Sequence, residues 1–329
     1  MSGEASPPSP LEVAAASVGE SATETFELLG NETRLAILLA LWEAYEPHGD
    51  DPAVSFSDLR ERVGLRDSGQ FNYHLGKLNG QFVESTGEGY QLHPVGLRLV
   101  QTVIAGTGNE ASLPPAEIDF PCHLCGGQTA LTYEDGWLSH VCTECEGGFE
   151  DTVRTGGLLF SEPFPPAALS DRTPEEIFAA GVFKLLQVFV MKLGGVCPIC
   201  SGRVESRMTV CDDHDASPGE LCDACQRSSP VVARWRCTVC KYRGSTSPSG
   251  TVVLQPDAVV FYHDHGIDLG YAVNDFERAR EALQLVRDAD ETLLSTDPMR
   301  VRVTARCDGD ELALVLDEQL HAVEALEMD

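Results

Sequence analysis

Apolar positions recur with helical spacing through the first third of the chain. Across Ser57 to Leu78, SDLRERVGLRDSGQFNYHLGKL, the pattern predicts two short helices joined by a tight turn. The first runs from Ser57 to Val63, with Ser57 as its N-cap and Gly64 as its stop. Asp67 or Ser68 caps the second. In that helix Phe71, Leu75 and Leu78 recur at i, i+4, i+7 and form the stripe to be buried. Gln70, Tyr73, His74 and Lys77 form a polar stripe on another side. Upstream, LLGNETRLAILLAL starts a helix at Asn31 and offers Leu35, Ile37, Leu38 and Leu41 for packing. Downstream, GQFVESTGEGYQLHPVG has two β-prone runs about the Gly-rich tip Thr86-Gly87-Glu88-Gly89, which predicts a hairpin. Leu97–Ile104 closes the domain as a last helix.

A helix face carrying donors, acceptors, one cation and an aromatic suits a DNA major groove, where base edges are read by hydrogen bonds. An ordinary solvated face is the plainer explanation of the same stripe. The order helix, helix, helix, hairpin, helix over Thr23–Gly106, with LGNETRLAIL and a helix pair ending in YHLGKL, resembles the ArsR-type winged-helix transcriptional regulators. That likeness implies binding to double-stranded DNA. On this reading Gln70, Tyr73, His74 and Lys77 meet base edges and the groove, and Ser68 meets a backbone phosphate. The cysteines of metal-sensing members are replaced here by Val54-Ser55-Phe56, and the hairpin tip carries Glu88 where a base would be expected. Within 26–104 six Lys/Arg face eleven Asp/Glu, which argues against phosphate binding in dilute buffer.

Charge along the whole chain changes that argument. The protein has 329 residues, 52 of them acidic and 23 basic, for a formal charge of −29, and only Lys77, Lys184, Lys192 and Lys241 are lysines. Such a balance looks halophilic. In molar salt the Debye length falls to about 3 Å, so long-range repulsion from DNA fades together with the counterion-release gain. An acidic protein that binds other proteins is the competing reading. There is no run of ~18 apolar residues to span a membrane. The N-terminus has no signal-peptide pattern, so a cytoplasmic protein is expected. Met1–Ala22 is rich in Ser, Ala, Pro and Glu and reads as a disordered tail.

Twelve cysteines, ten of them in Cys-x-x-Cys pairs, point to metal rather than disulfides. After a Gly- and Pro-containing linker, Gly106–Pro121, Cys122 and Cys125 are followed by Cys142 and Cys145 across TALTYEDGWLSHV, a predicted hairpin turning at Asp135-Gly136. Four thiolates so placed satisfy a tetrahedral Zn²⁺, and this is a zinc ribbon. His123 and His140 sit beside ligands and read as spectators. Further on come Cys197 and Cys200, Cys211 and His214, Cys222 and Cys225, and Cys237 and Cys240, eight ligands for two more zinc ions. A nested pairing is preferred: Arg203–Val210 and Val231–Arg236 pair as strands and bring the outer cysteines together, and the inner four close the loop between. A cross-brace and two consecutive sites are the alternatives, and Asp213 or water could replace His214. With water as a ligand the inner site could be catalytic. No general base is paired with it in a cleft-like motif, so a non-enzyme is expected.

Elsewhere, Glu146–Ser170 reads as a connector with an apolar run at Leu158–Phe160. Thr173-Pro174-Glu175-Glu176 starts a helix to Leu193, apolar nearly all round, which is either a core helix or a dimer seam. Thr251–Leu254 reads as a strand, Pro256–His265 as a short helix and Asn274–Asp288 as a helix. Strands follow at Glu291–Ser295, Met299–Cys307 and Glu311–Leu316, with a turn at Asp308-Gly309-Asp310. Arg300, Arg302 and Arg306 share one face of the middle strand, where pairing to Asp or Glu is the plainer expectation and an anion face the sharper one; Cys307 is placed in the core.

The expected architecture is α+β and multidomain. It comprises a tail (1–22), a winged helix-turn-helix domain (23–106), a zinc ribbon (117–155), a core or dimerisation helix (171–195), a second, two-zinc β region (196–250) and a small α+β segment (251–329). As a whole it resembles zinc-containing ArsR-type regulators of halophilic archaea. That likeness implies sequence-specific DNA binding as a homodimer, with the C-terminal part sensing or recruiting; it does not name the effector. A zinc-ribbon adaptor that binds proteins in transcription or RNA processing is the alternative, and a zinc hydrolase using the inner site is a third reading.

Overall fold

The computed structural model describes residues 20–46, 53–106, 113–150, 156–217, 220–269 and 275–328. The expected tail lies outside these apart from Glu20–Ala22, which open the first helix. The described chain is α+β, with four antiparallel sheets, and it divides into two compact units, Met1–Gly108 and Asn109–Asp329.

In the first unit α1 (Glu20–Leu29) and α2 (Glu32–Glu43) precede the helix pair α3 (Phe56–Val63) and α4 (Ser68–Leu78). Asn31 caps α2 by accepting from the Arg34 amide at 3.2 Å. α3 starts one residue before the expected Ser57, because Ser55 is its cap and accepts from Asp58 N–H at 3.2 Å. It ends at Gly64, whose φ of 76° is left-handed, where a Cβ is disfavoured. Asp67 caps α4 through the amides of Gly69 and Gln70. β1 (Val83–Ser85) and β2 (Tyr90–Leu92) form the expected hairpin, and α5 (Pro94–Gly106) follows. Val54 exchanges two backbone hydrogen bonds with Tyr90. A Cβ at Gly89 would lie 2.4 Å from the Val54 carbonyl oxygen, so only glycine permits that approach. Ile37, Leu38, Leu59, Phe71, Leu75 and Leu78 make the core of this unit.

The second unit begins with a sheet in the order β3 (Leu113–Ile118), β4 (Thr129–Glu134), β5 (Trp137–Cys142), β6 (Leu158–Pro163). Two segments expected to be irregular are therefore edge strands. The linker supplies β3, where one of the adjacent Pro114 and Pro115 faces the unpaired edge and the other falls in the break of register between Leu113 and Ala116. The connector supplies β6, whose apolar run packs inward at Leu158. A second sheet runs β7 (Val204–Val210), β8 (Val231–Cys237), β9 (Arg243–Thr246). A third runs β10 (Asp290–Thr296), β11 (Met299–Cys307), β12 (Asp310–Leu316), β13 (Ala322–Met328). β13 has no strand signal in its sequence, AVEALEM being helix-prone, and pairing with β12 overrides that preference.

The helix α6 (Pro174–Leu193) has the full capping box between Thr173 and Glu176. Its Ile177, Phe178, Val182, Leu185, Val188 and Phe189 are buried within the unit, so it is a core helix. Phe178 touches the rings of Phe120, His140, Phe160 and Phe276. The expected strand at Thr251–Leu254 is instead part of a 3-10 turn, Pro248–Leu254, in which Thr251 Oγ1 donates to the Pro248 carbonyl. The short helix α7 (Pro256–Asp264) and the helix α8 (Phe276–Arg287) then precede the third sheet. There Val301, Val303 and Ala305 are fully buried. Arg306 pairs with Glu311 at 2.7 Å and Asp290 at 2.5 Å, the cross-strand pairing expected of that face, whereas Arg300 donates to the Met299 carbonyl at 2.7 Å and neither it nor Arg302 forms an ion pair among the described residues. Cys307 is half-buried beside the Asp308-Gly309 turn and packs against the edge of the core.

Replacing Phe178, fully buried among four rings, by Ala should cost the second unit about 3–5 kcal/mol. A denaturant titration followed by near-ultraviolet circular dichroism measures this; a loss below ~1 kcal/mol would mean that the ring cluster does not hold the unit together.

Candidate metal centres

The strands bring twelve side chains into three groups of four, each with ligand atoms within 4.8 Å of one another: Cys122, Cys125, Cys142 and Cys145; Cys197, Cys200, Cys237 and Cys240; and Cys211, His214, Cys222 and Cys225. In the first group Cys122 Sγ lies 3.7 Å from Cys145 Sγ, and Cys125 Sγ lies 3.6 Å from Cys142 Sγ. In the second the corresponding pairs are 3.6 and 3.5 Å apart. Tetrahedral bonds of about 2.3 Å place sulfurs roughly 3.8 Å apart, so these separations are those of a zinc site. In the third, Cys225 Sγ is 3.6 Å from His214 Nδ1. The three groups fit three zinc sites.

The pairing in the second region is the nested one. β7 and β8 register Val204 opposite Cys237, which carries the outer four together. The inner four include His214; Asp213 instead offers its backbone carbonyl to Cys222 Sγ at 3.7 Å. His123 and His140 belong to none of the groups.

A repeated backbone device shapes four of the turns. At Cys122 the amide bonds to the Gly127 carbonyl and the Gly126 amide returns to the Cys122 carbonyl. The same reciprocal pair recurs from Cys197 to Gly202 and from Cys222 to Arg227, and the Cys237 amide bonds to the Tyr242 carbonyl. Each turn needs a left-handed residue directly after its second cysteine: Gly126, Ser201, Gln226 and Lys241 have φ of 78°, 58°, 55° and 64°. The glycine was legible in sequence; the other three were not, since nothing in their side chains announces that backbone. Amides inside the turns also point at sulfur. Leu124 N–H donates to Cys122 Sγ at 3.4 Å, and Val239 N–H to Cys237 Sγ at 3.3 Å. Donors to a thiolate favour its charged form. The amides of Cys240 and Val239, against the opposing effect of burial, hold Cys237 down at about 6.

The expected DNA-contacting residues lie on α4 in the other unit. Ser68, Gln70, Tyr73 and Lys77 are exposed. Lys77 Nζ sits 5.8 Å from the centre of the Tyr73 ring. His74 departs from the expected stripe: it is only 8% exposed. Phe71, His74, Leu75 and Leu78 follow i, i+3, i+4, i+7, so position 74 falls on the apolar face as readily as on the polar one. Its Nδ1 has no hydrogen-bond partner among the described residues.

A cavity of about 450 Å³ lies within the second unit, lined among others by Phe120, His140, Phe160, Glu162, Leu186 and Phe189. Burial drives the His140 imidazole down to about 3, with a smaller push from His123. Lys192 is 4% exposed, and Nζ stands 4.1 Å from the Trp235 ring centre. Burial lowers it to about 8, against the opposing pull of Glu162 and Cys197. No motif in the sequence singles out Glu162 or Lys192 as neighbours of this cavity, although each interrupts an apolar stretch.

Residues 119–322 match the family model described as Domain of unknown function (DUF7351), and residues 22–103 match Domain of unknown function (DUF7347). The first match covers more than half of the chain, which therefore belongs to that family. The comparisons with curated proteins and with solved structures return no match.

Purified protein should carry three zinc ions per chain, and Cys200→Ser should carry two. Elemental analysis with protein quantified by absorbance checks both, and fewer than three in the parent would disprove the grouping.

Proposed function

We propose that the protein is a sequence-specific DNA-binding transcriptional regulator, acting as a homodimer in the cytoplasm. In this reading the first unit is a winged helix-turn-helix, α3 and α4 are the helix pair, and β1–β2 is the wing. Zinc shapes the second unit and does no chemistry. The observation that carries the reading is the two-sidedness of α4. Phe71, Leu75 and Leu78 are fully buried and fix the helix, while Gln70, Tyr73 and Lys77 stand exposed on one side. A helix anchored along one face and bearing hydrogen-bonding side chains on another can read base edges. In this reading Ser68, exposed at the first turn, meets a backbone phosphate. His74 leaves the contact set, and its part is to pack. The acidity of the unit is compatible with DNA where salt screens repulsion to about 3 Å. A homodimer follows from the two-fold symmetry that such operators share with their proteins.

A zinc-ribbon adaptor is the second reading, favoured by the excess of eleven acidic over six basic residues within 26–104. Genomic occupancy separates the two: discrete peaks support a regulator, and signal spread along transcribed genes supports an adaptor.

With an operator from such mapping, Gln70→Ala should weaken binding by about 1–3 kcal/mol and relax preference at one base pair. Lys77→Ala should weaken binding to all sequences alike. Both should unfold at the parent's denaturant midpoint, whereas His74→Ala should lower it. Mobility shifts in molar potassium chloride measure affinity. Unchanged affinity and base preference in both Gln70 and Lys77 variants would exclude α4 as the reading helix.

A further inference from the structure

The cavity in the second unit has a wall that is chemically unfinished. β5 and β6 register His140 opposite Phe160 and Leu138 opposite Glu162. His140 and Glu162 are therefore diagonal neighbours on one face of the sheet, a separation of about 7–8 Å, and both line the cavity. They are 1% and 7% exposed. Nε2 of His140 is sealed from solvent and has no hydrogen-bond partner among the described residues. The Glu162 carboxyl forms no hydrogen bond or ion pair among the described residues; Lys192 and Lys184 act on it only through their charge. Buried polar side chains ordinarily find partners. The His140 nitrogen is closed off even from the cavity, so it is the Glu162 carboxyl, buried and lining the space, that calls for a partner inside it.

The remaining wall fixes the character of that partner. Phe120, Phe160, Leu186 and Phe189 present apolar surface, three of them aromatic rings. The volume, about 450 Å³, falls in the range of small-molecule sites. A flat body matches the rings by stacking or edge contact. A second buried charge would be costly, and two ammonium groups already act on the carboxyl, so the unmet need is for a hydrogen-bond donor and not for a cation. We infer that this cavity binds a small, uncharged, planar molecule whose N–H or O–H donates to Glu162 while its ring lies against the phenylalanines. The molecule is held by β5, β6 and α6, all within the second unit, and the assignment is independent of whether α4 reads DNA.

Three probes of one shape test this on the full-length zinc-loaded chain by isothermal titration calorimetry: indole, 1-methylindole, which lacks the donor, and indole-3-acetate, which adds a charge. Indole should bind at one saturable site, 1-methylindole about tenfold more weakly, and indole-3-acetate not at all. Glu162→Met should erase the preference for indole over its methyl analogue, and Glu162→Gln, which keeps an acceptor, should retain it. Leu186→Trp, which fills the space, should abolish binding. Three zincs per chain in each variant show that it has folded. Absence of saturable indole binding, a preference that survives Glu162→Met, or undiminished binding by Leu186→Trp would each overturn the assignment. Because no DNA is present, none of these outcomes bears on the operator reading.

Discussion

Four sulfurs held within 4.8 Å repel one another strongly if all are thiolates, and a divalent cation at their centre removes that repulsion. The second unit is arranged around this constraint. Cys197 and Cys240 are joined from positions 43 residues apart, and the β7–β8 ladder lies between their turns. The ring of Trp235 on β8 meets Phe189 at the end of α6, so the metal-bound sheet and the core helix share one core. Metal affinity is folding free energy in such an arrangement, because the unfolded chain has no preformed site. The turns help by aiming amides at sulfur. Even with the ion, four thiolates leave the first and second sites with a net charge of −2, which suits a chain whose other surfaces are also acidic.

The second unit couples its parts through more than metal. Glu146, directly after Cys145, accepts from the Leu221 amide, and the Ser228 amide donates to the Gly148 carbonyl. The chain leaving the first site is thus stitched to the loop that carries the third. Segments separately legible as a ribbon, a helix and a two-metal region therefore fold together between Asn109 and Asp329.

What could be read in the sequence was whatever a side chain states locally. Cysteine spacing gave the ligands, and Thr173-Pro174 with Glu176 gave the start of α6. Helical periodicity gave the buried face of α4. The misses share a cause, since each depended on something remote. β3 and β6 are strands only because β4 and β5 offer edges, and β13 is one because β12 does. His74 sits at a position two periodicities can claim, and packing decides between them. Glu162 and His140 become neighbours only through the register of two strands joined by a connector that looked irregular. The nested metal pairing could be preferred from strand propensity but not fixed by it.

The outer strand of the first sheet has one more effect. Of the adjacent Pro114 and Pro115 on β3, one removes an amide donor from the outer margin, which could otherwise recruit a strand of another molecule. Like-charge repulsion between copies of so acidic a protein would guard against such association in fresh water, but it fades as salt is added. The missing donor is a covalent fact that no electrolyte alters, so protection from aggregation at this margin persists in brine.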